Sequence, residues 1–494
     1  MEKPSEIFGR HWEWKLLERF RGSGDHNKLN LGIVSGRRRA GKTFLLTAWC
    51  EQVGGLYHSC VQDEGEVAAR SRFNATIAEH VGTPTAPTPA SWEELLRTAL
   101  TVAARTTSQG TPLVVIDELP YAIAHSPELP GLLQLIYDQA QRGKAPGGHV
   151  VLCGSSLSVM RELLSGNKPL RGRAQVDLRL KPLDFRQAAK LWGIDDPEAA
   201  LHVHACVGGF PGYRELITQT PHGIGEFDDW VRDTLLSTGL GVFTHTEVEF
   251  LLREEPRITD RAAYFDVLGA IANGATSLSK IGAAVGRSKN TVDYLTQVLL
   301  SSGYLDTVPD LVRKKSTLAV TDPIIRFDRM ITAAHLGQLE RHRADEVWRT
   351  ARPTFKSQII GPHFEALARE WVELFAPDEL DRPEGFGDVG IANLHDHRGR
   401  AKHEVDVLAL QRKQVTFLGE AKATIHQRGL DDLSRLEAIA RLLADQGYQT
   451  KGVTFGLFSL SGFTHELVNA ARRRGDVELV DIHRLYGQDE TPSA

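Results

Sequence analysis

No stretch of this 494-residue chain stays apolar for long enough to cross a membrane. The opening segment, "MEKPSEIFGRHWEWKLL", lacks the apolar centre of a secretory signal. Cysteine is scarce. Cys50, Cys60, Cys153 and Cys206 are scattered without the paired spacing of a zinc site or a disulfide framework, so each reads as a small buried side chain. A strong excess of one charge is also missing. The formal net charge is −5, so any nucleic-acid surface has to be a local patch. These absences lead to the expectation of a cytoplasmic protein without a membrane partner. The 24% charged and 41% apolar residues match a globular composition. The length exceeds one ordinary core, and roughly two to four domains are expected.

Near the N-terminus, "LNLGIVSGRRRAGKTFLLTAWCEQ" reads as strand, loop and helix. The loop satisfies G-x-x-x-x-G-K-[ST] with Gly36, Gly41, Lys42 and Thr43. Glycines let backbone N–H groups curl around phosphate oxygens, and the following helix presents its positive end. Lys42 would reach the β- and γ-phosphates, and the Thr43 hydroxyl would bind Mg²⁺. The three arginines inside the loop are unusual; they are either exposed or meet a neighbouring domain. A second apolar run, "PLVVIDELPYA", ends in Asp117 and Glu118, as a buried parallel strand with acids at its carboxyl end would. Asp117 can hold Mg²⁺ through water and Glu118 can polarise the attacking water. The plain alternative is an acidic helix start.

The next strand, "HVVLCGSSLSVM", ends in Ser155 and Ser156. These hydroxyls either sense the γ-phosphate or cap a helix, and the two readings are compatible. Downstream, Arg171 and Arg173 are candidates for a guanidinium that stabilises transferred charge, in the same chain or in a neighbouring subunit.

Phe8, Gly9, Arg10, Glu13 and Leu17 resemble the adenine-side entry segment of AAA+ ATPases. With the two nucleotide motifs, the "CGSS" strand and the Gly209-Phe210-Pro211 element, the chain resembles the archaeal-type ATPase family, which is grouped near signalling-type NTPases. That resemblance implies an AAA+ core with a helical lid, ATP and Mg²⁺ as cofactors, and assembly with further copies.

The stretch from Arg261 shows three helical patches. Ile281, Ala284 and Val285 face one way, while Val292, Leu295 and Leu299 face another. Ser277 and Ser288 are N-cap candidates, and Gly286 and Gly303 stand at turns. An alternating stretch follows, "GYLDTVPDLVRKKSTLAVTD", so the pattern is that of a winged helix-turn-helix. Its third helix is not very basic, while the wing carries Arg313, Lys314 and Lys315. This suits modest contact with duplex DNA and weak sequence preference; a structural spacer is the alternative.

Beyond residue 350 the pattern runs helix, three strands, helix, strand, helix, strand. "FLGEAKA" is the third of these strands, and its Glu420 and Lys422 sit two positions apart. Alone, that pair reads as an ordinary salt bridge. Asp406 lies on the hairpin partner strand, and Glu365 lies on the preceding helix. Three converging carboxylates repel unless a cation neutralises them. Lys422 would then orient or deprotonate a water, or stabilise charge on phosphorus. The arrangement resembles the PD-(D/E)xK nuclease superfamily. That resemblance implies Glu365, Asp406, Glu420 and Lys422 as catalytic residues, with Asp406 and Glu420 binding Mg²⁺ or Mn²⁺. The histidines His395, His397 and His403 are poorly spaced for zinc and read as loop residues.

The expected architecture is multidomain α/β. A P-loop AAA+ core spans 1–185, a helical lid 186–255, a winged helix 256–335 and a restriction-endonuclease-like domain 350–494. The expected activity is an ATPase that controls a Mg²⁺-dependent DNA endonuclease, with the engine changing how winged helix and nuclease are related. Foreign-DNA defence or mobility is the setting that the domain company suggests. The alternative is an ATP-driven regulatory switch whose nuclease-like domain is idle. An RNA target is a third reading.

Overall fold

The computed structural model describes residues 2–488 apart from 24, 85–90, 108–110, 218, 240 and 397–400. His397 lies outside the described residues. Five strands form the first sheet: β1 (Leu29–Gly36), β2 (Leu56–Ser59), β3 (Leu113–Asp117), β4 (Gly148–Gly154) and β5 (Ala174–Leu180). All are parallel, in the order β2-β3-β4-β1-β5. Every residue of β1, β3 and β4 is buried, whereas β2 and β5 alternate. Uniform burial thus marks the three central strands and alternation marks the edges. Helices cover both faces. Leu31 and Ile33 of β1 pack with Trp92 and Leu96 on one side, and Val34 packs with Phe20 and Trp49 on the other.

Helices from Phe185 to Arg253 follow, and then a unit of three helices, Arg261–Ala272, Leu278–Val285 and Lys289–Ser301. Ser277 and Ser288 cap the second and third of these by accepting the Lys280 and Thr291 N–H groups. Gly286 closes the second in the left-handed region, with φ 66°. Ala284 is exposed, and Gly282 takes the inward position of this two-turn helix instead. A hairpin closes the unit: β6 (Leu305–Asp310) and β7 (Lys315–Val320).

The remaining strands are β8 (Asp388–Asp396), β9 (Ala401–Gln411), β10 (Gln414–Lys422), β11 (Thr454–Ser459) and β12 (Val477–Asp481). They do not form a separate sheet. The hairpin joins them, giving seven strands in the order β12-β11-β10-β9-β8-β6-β7. The junction is a parallel contact in which Asp310 faces Ile391 and the Leu311 N–H donates to the Ile391 carbonyl at 3.0 Å. Gly390 makes it possible: a Cβ there would stand 2.4 Å from the Pro309 carbonyl oxygen.

One apolar cluster runs from Phe185 through Val207, Phe327, Phe355 and Trp371 to Phe417 and Phe458. The helices from Phe185 to Arg253, the three-helix unit and one face of the C-terminal sheet therefore share a core. The expectation that an engine alters the relation between the hairpin unit and the C-terminal domain is corrected here, because a shared sheet and a shared core bind the two together. The first sheet keeps its own clusters. No helix among the described residues is long and apolar enough to cross a membrane.

Candidate functional sites

The phosphate loop leaves β1 at Gly36, where a Cβ would stand 2.8 Å from the Leu180 carbonyl oxygen. Gly41 enters the Lys42–Val53 helix at φ 85°, a conformation that glycine adopts without strain. Lys42 is buried and donates to the Arg37 carbonyl at 3.3 Å, so its ammonium lies over the loop. Thr43 donates to the fully buried Asp117 at 2.7 Å. A hydroxyl and a carboxylate this close are a suitable oxygen pair for Mg²⁺. Tyr57 on β2 donates to the same Asp117 oxygen at 2.6 Å, and burial followed by Asp117 pushes its phenol up. The sequence reading missed Tyr57, because the neighbour of β3 in the sheet is not written in the order of the strands.

Glu118 occupies the left-handed region at φ 50°, an uncommon place for a side chain other than glycine. Ser155 fixes it there: its N–H and hydroxyl reach Glu118 Oε2 at 3.1 and 2.8 Å. Ser155 thus positions the acid, and Ser156 is the residue that caps the following helix. Ser156 also donates to Glu255 at 3.1 Å, and Ser158 donates to the other oxygen of that carboxylate.

Each loop arginine meets the second half of the chain. Arg37 donates to Asp322 at 2.7 Å, with both side chains almost wholly buried, and stacks 4.5 Å from the Tyr304 ring. Tyr304 and Asp322 flank the hairpin, so Arg37 grips its root. Burial pushes the Asp322 carboxyl up against the opposing pull of Arg37. Arg38 pairs with Glu254, and Arg39 holds Glu247 through two bonds of 3.1 and 3.2 Å. The Gly209-Phe210-Pro211 element backs the loop: the Gly209 carbonyl accepts from Leu183 at 2.7 Å, and the next residue, Gly212, donates to Arg39 at 2.9 Å. Arg10 braces the other side by donating to the Ala40 and Lys181 carbonyls at 3.0 and 2.8 Å.

Arg171 and Arg173 stand elsewhere. Arg171 donates to the Gly166 carbonyl at 2.7 Å, and Arg173 takes Asp138 with two bonds of 3.1 Å. They precede Ala174, which pairs with Leu31, whereas the loop begins where Gly36 faces Leu180. Both arginines are therefore at the opposite end of the sheet from their own loop. The same-chain role expected for them is corrected, because the parallel strand between separates them from the phosphates.

In the C-terminal sheet a bulge sits at Asp406. Gly390 faces Leu408 while Ala392 faces Val405, so β9 carries an extra residue there. Bulges re-aim side chains next to sites. Asp406 Oδ2 accepts from the Ala421 N–H at 3.0 Å and from Lys422 at 3.4 Å. Lys422 also lies 3.2 Å from Glu420. Glu420 is buried and turned toward the Leu430–Asp445 helix, with Arg435 at 2.7 Å and Arg428 at 3.8 Å. Glu365, on the Gly361–Leu374 helix, faces Asp406; burial and then Asp406 push its carboxyl up to about 7. Arg369 donates to the Asp406 carbonyl at 2.8 Å. Burial works against the Lys422 ammonium, but Asp406 and Glu420 outweigh it and hold its pKa up. A charged lysine favours the electrostatic role over the proton-accepting one.

Lys422 thus joins the two strand acids, and the Asp406 charge acts on Glu365. Among the described residues, no group of three or more His, Cys, Asp or Glu stands close enough to hold a metal ion. Arg435, on the Leu430–Asp445 helix, and Arg428, just before it, draw Glu420 to their side. Sequence reading missed both, since an arginine at the start of a polar helix reads as a solvated one. His395 and His403 sit on β8 and β9, with His403 beside Leu394.

Comparison with known proteins agrees with the first site. Residues 8–196 match the profile of the family described as an ATPase domain predominantly from Archaea. The uncharacterized protein MJECL04 of Methanocaldococcus jannaschii is 26% identical over 393 residues, 78% of this chain and 81% of that one. Among solved structures, the Walker-type ATPase of Pyrococcus abyssi is 19% identical, covering 66% of this chain and 97% of its own, with a TM-score of 0.48. The Aeropyrum pernix ORC2 protein is 14% identical, covering 71% and 97%, with a TM-score of 0.44. The profile match and the P-loop geometry agree on an ATPase domain of the archaeal type in the N-terminal part of the chain.

Proposed function

We propose that the chain hydrolyses ATP and uses the nucleotide state to control a divalent-metal-dependent DNA endonuclease built on the C-terminal sheet. The observation that carries this reading is the joining of two acids by one ammonium: Asp406 at the bulge in the middle of β9 and Glu420 near the end of β10, with the Asp406 charge acting on Glu365. The ATP end rests on Lys42, Thr43, Asp117 and Glu118. There Thr43 and Asp117 would hold Mg²⁺, which supplies charge neutralisation to the phosphates. Glu118 orients and polarises the attacking water, and Ser155 sets its direction.

At the second site the carboxylates of Asp406 and Glu420, joined by Lys422, are the oxygen donors that a hard cation takes. Asp406 and Glu420, with Glu365 nearby, would hold Mg²⁺ or Mn²⁺, which supplies Lewis acidity to a phosphodiester. Lys422 stabilises the negative charge that develops on phosphorus. The three-helix unit and hairpin act as the winged helix that contacts DNA. Coupling runs through Arg37, Arg38 and Arg39, because these connect the phosphate loop with the hairpin root and the lid.

A specific observation favours the second reading, an ATP-driven switch with an idle nuclease-like domain: Arg435 and Arg428 already neutralise Glu420. Plasmid nicking separates the two. Supercoiled plasmid is incubated with ATP and Mg²⁺ or Mn²⁺ alongside wild type, Glu420→Gln and Lys422→Ala. Nicking by wild type that both variants lose supports the nuclease, and no nicking by any of the three supports the switch.

A further inference from the structure

We infer that the turn of the β6–β7 hairpin and the acid–lysine cluster form one continuous surface for the backbone of a single DNA duplex. The inference rests on the proposed function for its ligand, and it adds where that ligand lies.

Strand direction points the two features the same way. β8 is antiparallel to β9, and β9 is antiparallel to β10, so β8 and β10 end at the same side of the sheet. β6 runs parallel to β8 and stops level with Ile391, five residues short of the end of β8. Lys422 is the last residue of β10, and the hairpin turn follows Asp310, the last residue of β6. The two features also share a level. Asp310 faces Ile391, and Ile391 lies between Gly390, opposite Leu408, and Ala392, opposite Val405. That is the stretch where Asp406 bulges. Two to three strand spacings, roughly 10–14 Å, separate Asp406 from the turn. At 3.4 Å per base pair, this spans about three to four base pairs of duplex.

The turn is held rigidly. The Asp310 carboxylate accepts the Val312 and Arg313 N–H groups at 3.2 and 2.9 Å and the Asn393 amide at 3.1 Å. Leu311 and Val312 pack onto the core under the sheet. Arg313, Lys314 and Lys315 are left exposed. Among the described residues they form no ion pair, and neither does Lys402 on β9. A chain with a net charge of −5 thus gathers unpaired cations on a fixed turn beside its acid–lysine cluster. Fixed cations matched to a polyanion lose little freedom on binding.

The test is anisotropy of a labelled duplex with the full chain in EDTA, where no cutting occurs, over a series of salt concentrations. The triple variant Arg313→Ala, Lys314→Ala, Lys315→Ala is expected to bind about tenfold more weakly at low salt. Its slope of log K against log salt should be shallower by roughly two to three, at about 0.9 per phosphate contact. Exchanging the three for one another's cation, Arg313→Lys with Lys314→Arg and Lys315→Arg, should retain binding and so separates charge from folding. Asp406→Asn in the same buffer should tighten binding several-fold, because it removes a negative charge facing the duplex. Unchanged affinity and slope in the triple variant, no effect of Asp406→Asn, or a preference for RNA over duplex DNA would each overturn the inference. None of these readings depends on cutting, so an idle nuclease would leave the shared surface standing.

Discussion

Glu118 is held in a strained backbone conformation by two bonds from Ser155, and the proposed mechanism has it polarise the attacking water. Glu118→Gln should retain ATP binding and lose hydrolysis by roughly 10²-fold or more, read as phosphate release at saturating ATP. Lys42→Ala should lose nucleotide binding itself. Another residue sets an acid limit on stability. His202 is buried among Phe227 and Phe355, and burial pulls its pKa to about 4. The Glu198 carbonyl, Lys356, Asp196 and Asp228 surround it. Its folded pKa lies below the unfolded value, so the unfolded chain binds the extra proton first. The stability is present above about pH 6.5 and is lost as pH falls toward about 4, by up to roughly 3 kcal/mol. The melting midpoint should therefore fall across that window, and less steeply in His202→Phe. At this scale the motif residues Lys42, Thr43, Asp117 and Glu118 were legible, because phosphate chemistry dictates their spacing. Tyr57, Glu255, Arg428 and Arg435 were not, since each acts through a neighbour that only the folded chain supplies.

Among elements, the strands and helices of both sheets follow the apolar periodicity closely. The segment "VTFLGEAKA" is a strand over Gln414–Lys422, and the leucines after it fall on the Leu430–Asp445 helix. The β6–β7 and β9–β10 hairpins were legible, but the pairing of β6 with β8 was not. The β6–β8 contact rests on one residue pair, Asp310 with Ile391, from segments far apart in the chain. Periodicity reports a strand's faces and is silent on its partner. Gly390 is the test of that contact. Gly390→Ala would place a Cβ 2.4 Å from a backbone oxygen, which cannot swing away as a side chain could. It should cost about 1–3 kcal/mol. Hydrogen exchange should quicken at Leu311 while the first sheet is unaffected.

Taken whole, the molecule divides differently from a string of four domains. One core joins the lid, the three-helix unit and the C-terminal sheet, and the ATPase sheet meets that body through arginines of its phosphate loop. Composition and motifs revealed the parts, but the division depends on tertiary pairing that no local pattern encodes. The Arg37–Asp322 pair is buried, so Asp322→Asn should leave an uncompensated guanidinium and cost roughly 3–5 kcal/mol in thermal or denaturant unfolding. Arg39→Ala, at a partly exposed bond to Glu247, is expected to keep ATP hydrolysis and weaken its link to the second site. The central claim is that link, and plasmid nicking compared without nucleotide, with ADP, with ATP, and with ATP in Glu118→Gln measures it directly. Coupling predicts rates in Mn²⁺ that differ severalfold between the ADP and trapped-ATP states, whereas equal nicking in all four conditions would contradict it.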